Sequence, residues 1–164
     1  MIRVAILTLS DSSVAGARED VSGARLQQSV QQLGWTVTYT GLLPDERDQI
    51  GARLRELADS GLNSVILTTG GTGVALRDVT PEATRDVIER EIPGLGELMR
   101  IESRKFTPNA VLSRATAGTR GRTLIVNLPG SPKGAVECFD IVSKLIPHVV
   151  DLIEGRTGHA SVPN

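Results

Sequence analysis

The stretch that decides the fold runs Val65-Ile66-Leu67-Thr68-Thr69-Gly70-Gly71-Thr72-Gly73-Val74-Ala75-Leu76-Arg77-Asp78-Val79-Thr80-Pro81-Glu82. It opens on a short apolar run bounded by glycine, the pattern of a strand buried in a parallel sheet. It closes on a hydroxyl, a proline and an acid in succession, which start a helix with Thr80 as the expected cap. Strand, glycines and helix together make a layout that binds phosphate. The closely spaced glycines let the backbone approach a ligand that any Cβ would push away, and free amide N–H groups to face an anion. Asp78 cannot itself hold a phosphate, because like charges repel; beside such a cradle it suits Mg²⁺ held against the phosphate oxygens. Neither the P-loop spacing nor G-x-G-x-x-G is present, so the stretch taken alone also reads as a simple chain reversal.

On the N-terminal side, Ile2 to Leu9 reads as a buried first strand. Ser22 is placed to cap a helix from Gly23 to Leu33, with Leu26, Val30 and Leu33 on one face and Gly34 as its stop. Trp35 to Leu43 alternates as a second strand, and Pro44-Asp45-Glu46 turns into a helix to about Ser60. With Ser64 to Thr69 as the third strand the order is βαβαβ, which calls for a three-layer α/β/α fold on a mostly parallel sheet. On the C-terminal side a helix begins near Pro81, and another spans Leu95 to about Lys105. Thr116 to Gly121 reads as turn, Arg122 to Leu128 as a strand, and Ala135 to Ile153 as helix with a break at Pro147. Residues 1–155 are expected to form one domain, and 156–164 a frayed tail.

With 164 residues, 40% hydrophobic and 23% charged, the composition is that of a globular protein. A formal charge of −1 supplies no field to attract nucleic acid or an anionic membrane, and 2% aromatics leave little for bases to stack on. No signal-peptide pattern and no apolar run near eighteen residues occurs, so a cytoplasmic location is expected. Cys138 lies in a helical pattern and reads as a buried structural thiol. Neither His148 nor His159 has metal-ligand spacing.

Four polar turns follow predicted strands: Ser10-Asp11-Ser12, Pro44-Asp45-Glu46, Gly70 to Asp78, and Pro129 to Lys133. If the strands are parallel, these turns share the carboxyl edge of the sheet, where open α/β sheets bind ligands. Read residue by residue, Asp45 is equally a helix cap, Arg77 a solvated charge and Ser113 a polar turn residue.

The segments Thr69-Gly70-Gly71-Thr72-Gly73, Arg77-Asp78-Val79-Thr80-Pro81-Glu82-Ala83-Thr84, Leu112-Ser113-Arg114 and Asn127-Leu128-Pro129-Gly130-Ser131-Pro132-Lys133-Gly134 resemble, in order and spacing, the molybdopterin adenylyltransferases and the G domain of gephyrin. The resemblance extends from Ile2 to about Gly155. It implies the molybdenum cofactor biosynthesis fold and transfer of AMP from ATP to molybdopterin with release of pyrophosphate. It implies that Asp45 and Asp78 serve Mg²⁺-dependent catalysis. Ser10, Asp11, Gly70, Gly71, Thr72, Gly73, Pro129, Gly130 and Ser131 match segments lining the nucleotide and pterin site, and Ser113 a serine on the pterin side. It further implies a homotrimer that works with other molybdenum cofactor biosynthesis proteins. The alternatives are a non-catalytic homologue that binds molybdopterin or its precursor, a scaffold module, and a nucleotide-processing enzyme related to the competence-damage proteins.

Overall fold

A computed structural model describes residues 1–156; of the expected tail, 157–164 lie outside the described residues, as does His159. The elements are β1 (Arg3–Leu9), α1 (Asp11–Val14), α2 (Val21–Gln32), β2 (Thr36–Leu43), α3 (Arg47–Asp59), β3 (Val65–Thr69), α4 (Thr80–Arg85), β4 (Arg90–Glu91), α5 (Pro93–Ser103), a 3-10 helix (Pro108–Leu112), β5 (Ala117–Arg120), β6 (Thr123–Leu128), α6 (Pro132–Ser143) and α7 (Ile146–Ile153). The strands form one sheet in the order β2-β1-β3-β6-β5-β4. β2, β1, β3 and β6 are parallel; β5 pairs antiparallel with β6, and β4 antiparallel with β5 at the sheet edge.

The sheet is covered on both faces, as its near-continuous apolar central strands require. On one side Val4, Ile6, Val65, Leu67, Leu124 and Val126 pack against Leu26 and Val30 of α2, Leu95 and Met99 of α5, Phe139 and Val142 of α6, and Ile146 and Val150 of α7. Trp35 closes the end of this core edge-on to Phe139, with ring centroids 5.9 Å apart. On the other side Ala5, Leu7, Ile66 and Ile125 pack against Ile50, Leu54 and Leu57 of α3 and Ala83 of α4. This is the three-layer α/β/α fold expected from the sequence. The alternation read in β2 reflects its place at the sheet edge, where its residues are alternately exposed and half-buried.

Four expectations change. The helix after β1 is capped by Asp20, whose Oδ1 accepts the Gly23 amide at 2.8 Å; the Ser22 hydroxyl instead donates to the Gly130 carbonyl at 2.7 Å. Thr80 does not cap α4: its hydroxyl donates to the Gly70 carbonyl at 2.9 Å, and Val79 occupies the cap without a side-chain bond. The segment read as turn from Thr116 contains β5. There Gly118 is a strand glycine, because a Cβ on it would lie 2.5 Å from the Arg90 carbonyl and 2.6 Å from Ile88. The last helical break falls between Ser143 and Ile146, and Pro147 sits in the first turn of α7, where its missing N–H costs nothing.

Candidate active site

The four parallel strands end at Leu9, Leu43, Thr69 and Leu128, so the four polar turns share one edge of the sheet. Two glycine turns meet there. Gly70 donates its amide to the Leu128 carbonyl at 3.2 Å, Thr69 its hydroxyl to the Pro129 carbonyl at 2.7 Å, and a Cβ on Gly130 would lie 3.3 Å from the Gly70 Cα. Gly70 and Gly71 have φ of +105° and +65°, which side-chain-bearing residues adopt only with strain. A Cβ on Gly71 would collide with the Thr80 hydroxyl and come within 3.0 Å of Asp45 Oδ1. The amides of Gly71, Thr72 and Gly73 have no acceptor among the described residues, leaving three donors for a ligand.

Asp45 and Asp11 hold each other across the ends of β1 and β2. The Asp11 amide donates to Asp45 Oδ2 at 3.1 Å, and the Asp45 amide donates to Asp11 Oδ1 at 3.0 Å. Arg77, from the glycine loop, closes on Asp11 with two bonds of 2.9 Å and on Glu46 with a third of 2.9 Å. The guanidinium lowers the Asp11 pKa. Burial raises that of Asp45, and the carboxylates of Asp11 and Asp78 add to the effect against the Asp11 amide and Arg77. Asp45 Oδ1 is the buried side-chain polar atom without a hydrogen-bond partner among the described residues. An unpartnered carboxylate oxygen near a second carboxylate and beside a glycine cradle is a place for a cation. No cluster of three or more His, Cys, Asp or Glu suited to a metal occurs among the described residues. Mg²⁺ needs only one or two carboxylates, with substrate phosphates and water completing its shell.

Asp78 is fixed from two directions. Its Oδ2 accepts the Ala75 amide at 2.9 Å, and its carbonyl accepts from Arg114 Nη2 at 2.6 Å. Arg114 also donates Nε to the Gly73 carbonyl at 2.7 Å, pairs with Glu82, and gives its own amide to the Thr72 carbonyl at 2.8 Å. Arg100 holds the neighbouring segment by donating to the carbonyls of Ser113 and Ala115 at 3.2 and 2.9 Å.

Two clefts flank the glycine ridge. The larger, about 500 Å³, is lined by Gly71, Thr72, Gly73, Asp78, Ser113, Pro129, Gly130 and Ser131, and by Met99, Ser103, Glu137 and Cys138 of α5 and α6. The smaller, about 320 Å³, is lined by Ser10, Ser13, Arg18, Glu19, Asp20, Thr69, Gly70, Gly71, Gly130 and Ser131. The N-terminal ends of α2 and α6, with Val21, Ser22 and Pro132, also reach it. Gly71, Gly130 and Ser131 border both. Asp11 and Asp45 line neither; they stand beside Gly71, tied to the loop by Arg77.

Of the candidate residues read from the sequence, Ser10, Gly70, Gly71, Thr72, Gly73, Asp78, Ser113, Pro129, Gly130 and Ser131 line one or both clefts, while Asp11 and Asp45 stand beside them. The structure also supplies residues that sequence reasoning left out. Arg77 was expected to be a solvated charge, yet it ties together three turns. Arg114 stood in a quoted motif without a task, and Thr80 closes the loop rather than capping the helix. Asp45 was open to reading as a cap, but Glu46 holds that position in α3. Cys138 is buried, as expected, with burial raising its pKa.

Residues 5–148 match the family model described as a probable molybdopterin binding domain. The chain is 45% identical over 157 residues to a molybdopterin adenylyltransferase of Helicobacter pylori, spanning 94% of this chain and 89% of that protein. To the molybdopterin adenylyltransferase of Escherichia coli it is 38% identical over 168 residues, 94% and 86% of the two. The solved structure of the molybdopterin biosynthesis enzyme MoaB from Thermus thermophilus superposes with a TM-score of 0.89 at 48% identity, over 94% of this chain and 98% of that one. A family match across most of the chain, close relatives along nearly its whole length and the same fold in solved structures together establish that the chain belongs to the molybdopterin-binding family of molybdenum cofactor biosynthesis.

Proposed function

We propose that this protein is a molybdopterin adenylyltransferase that transfers AMP from ATP to molybdopterin. The observation that carries this reading is the unpartnered Asp45 Oδ1 beside Gly71, where two clefts meet over a shared glycine ridge. The larger, partly apolar cleft suits a pterin, and the smaller, polar one suits a nucleotide. The N-terminal end of α6, where the helix dipole favours negative charge, borders the smaller cleft; that of α2 is already capped by the Asp20 carboxylate. The reactive phosphates would then meet over Gly71, Gly130 and Ser131.

A terminal phosphate oxygen of molybdopterin attacks the α-phosphorus of ATP. The new P–O bond forms as the bond from that phosphorus to the β-bridging oxygen breaks, and pyrophosphate leaves with the electron pair. The nucleophile is already ionised at neutral pH, so the chain need supply little acid–base chemistry. Its task is to hold two polyanions in line against their repulsion. Asp45 and Asp78 would hold Mg²⁺, which supplies charge neutralisation at the phosphate oxygens. The amides of Gly71, Thr72 and Gly73 face the phosphates without adding bulk. Asp11, held by Arg77, keeps Asp45 in place, and Arg114 keeps Asp78 in place. Ser10 and Ser131 border the nucleotide, Thr72, Gly73, Pro129 and Ser113 the pterin.

In this reading the enzyme works in the cytoplasm as a homotrimer alongside other molybdenum cofactor biosynthesis proteins, with residues 1–155 as its single domain. Among the described residues no helix is long and apolar enough to cross a membrane. The deciding experiment incubates the purified chain with ATP, Mg²⁺ and molybdopterin and follows both adenylylated pterin and pyrophosphate. Pterin bound without AMP transfer would leave the non-catalytic homologue in its place.

A further inference from the structure

The assignment of the larger cleft to the pterin leaves a question of recognition. A pterin carries two adjacent donors on its pyrimidine edge, the N3–H and the exocyclic 2-amino group. Buried without acceptors, such donors cost affinity. A carboxylate satisfies both at once, with two parallel charge-assisted bonds. Two carboxylates line this cleft, Asp78 and Glu137. Asp78 stands at the glycine loop, its Oδ2 already accepting the Ala75 amide at 2.9 Å. Glu137 lies six residues along α6 from Ser131, about 9 Å down the helix at 1.5 Å per residue. It lines the cleft together with Met99, Ser103 and Cys138, and also borders a groove between α2 and α6.

The Glu137 side chain is 22% exposed, and no described hydrogen bond consumes its carboxylate. Its ion-pair partner, Lys133, is 79% exposed and stands 3.7 Å away, too far and too solvated to occupy both oxygens. Arg100, the cation that lines the cleft, is committed to the carbonyls of Ser113 and Ala115. Of the other polar side chains lining the cleft, Ser103 and Cys138 are hydrogen-bonded to each other, and Thr107, Asn109 and Ser113 carry no charge.

We propose that Glu137 is the residue that reads the pterin, its carboxylate accepting from the N3–H and the 2-amino group while the phosphate end reaches the glycine ridge. The proposal rests on the placement of the pterin in the larger cleft. It makes the selectivity of the site a matter of one edge of one ring. A lumazine, which carries a carbonyl oxygen where a pterin has the 2-amino group, turns an acceptor toward the carboxylate and is rejected.

The test measures binding of 6-hydroxymethylpterin and of the matching lumazine by fluorescence titration, with thermal melting to confirm folding. Wild type should prefer the pterin on the order of tenfold to a hundredfold. Glu137→Gln, whose amide offers one acceptor and one donor, should lose most of that preference, and Glu137→Asp should keep part of it. In adenylylation, Glu137→Gln should raise the requirement for molybdopterin and leave that for ATP unchanged. A Glu137→Gln variant with the wild-type preference overturns this proposal and leaves the placement of the pterin standing. Wild type that binds neither compound overturns that placement and the proposal with it.

Discussion

Replacing Asp45 by Asn should separate stability from function with opposite signs. An asparagine keeps one oxygen to accept the Asp11 amide and leaves the Asp45 amide free to donate to Asp11 as before. It removes a charge that burial and two neighbouring carboxylates disfavour. Because the folded pKa lies above the ordinary value of 3.8, wild type without metal loses stability as pH rises from about that value through the folded pKa. The variant lacks this loss, so at pH 7 without Mg²⁺ it should melt no lower than wild type. With ATP and Mg²⁺ at tenfold its dissociation constant, wild type gains about 1.4 kcal/mol. For a chain of this size that is a rise of about 3–6 °C in Tm. The variant should lose the Mg²⁺-dependent part of the rise, and its adenylylation should fall on the order of a hundredfold or more. Differential scanning calorimetry with and without metal, beside a turnover assay, reads both. A metal-free variant that melts several degrees low would make Asp45 a structural residue. Full turnover would remove it from the reaction.

Gly71→Ala should destabilise by roughly 2–3 kcal/mol, from the strain of a left-handed alanine and the displaced Thr80 hydroxyl, and should weaken ATP and molybdopterin together, as calorimetric titration would show. Arg114→Lys keeps the charge but cannot reach the Gly73 and Asp78 carbonyls and Glu82 at once, so it should cost about 2 kcal/mol in denaturant unfolding and lower kcat more than it raises KM. Asp11 is held below its ordinary pKa of 3.8 by Arg77, so their tie is complete above that value and is lost as pH falls through the folded pKa. In Arg77→Met, carboxyl NMR should show Asp11 titrating closer to 3.8.

The parallel half of the sheet was readable because β1, β3 and β6 are apolar runs closed by polar or glycine-rich turns, and because β2 alternates. The antiparallel half was not. β4 has two residues, and β5 contains Gly118, whose strand role depends on how closely Arg90 and Ile88 approach it. At the candidate site, the glycine loops and the acids of the four turns were visible as local patterns. What joins them was not. Arg77 meets Asp11 across 66 positions and Glu46 across 31, while Arg114 meets Gly73 across 41 and Glu82 across 32. No local periodicity encodes such pairs. Thr80 misled for the same reason, since a threonine before a proline reads as a cap until the distant Gly70 carbonyl is seen to claim its hydroxyl.

Where Gly70 meets Gly130, at the border of the two clefts, main chain packs directly on main chain. Main chain has no rotamers, so this stretch of the border cannot swing aside as a side-chain gate would. In the proposed reaction the adenylylated pterin would then span both compartments, and pyrophosphate alone would leave from the nucleotide side. The order in which the two depart would follow how tightly each is held.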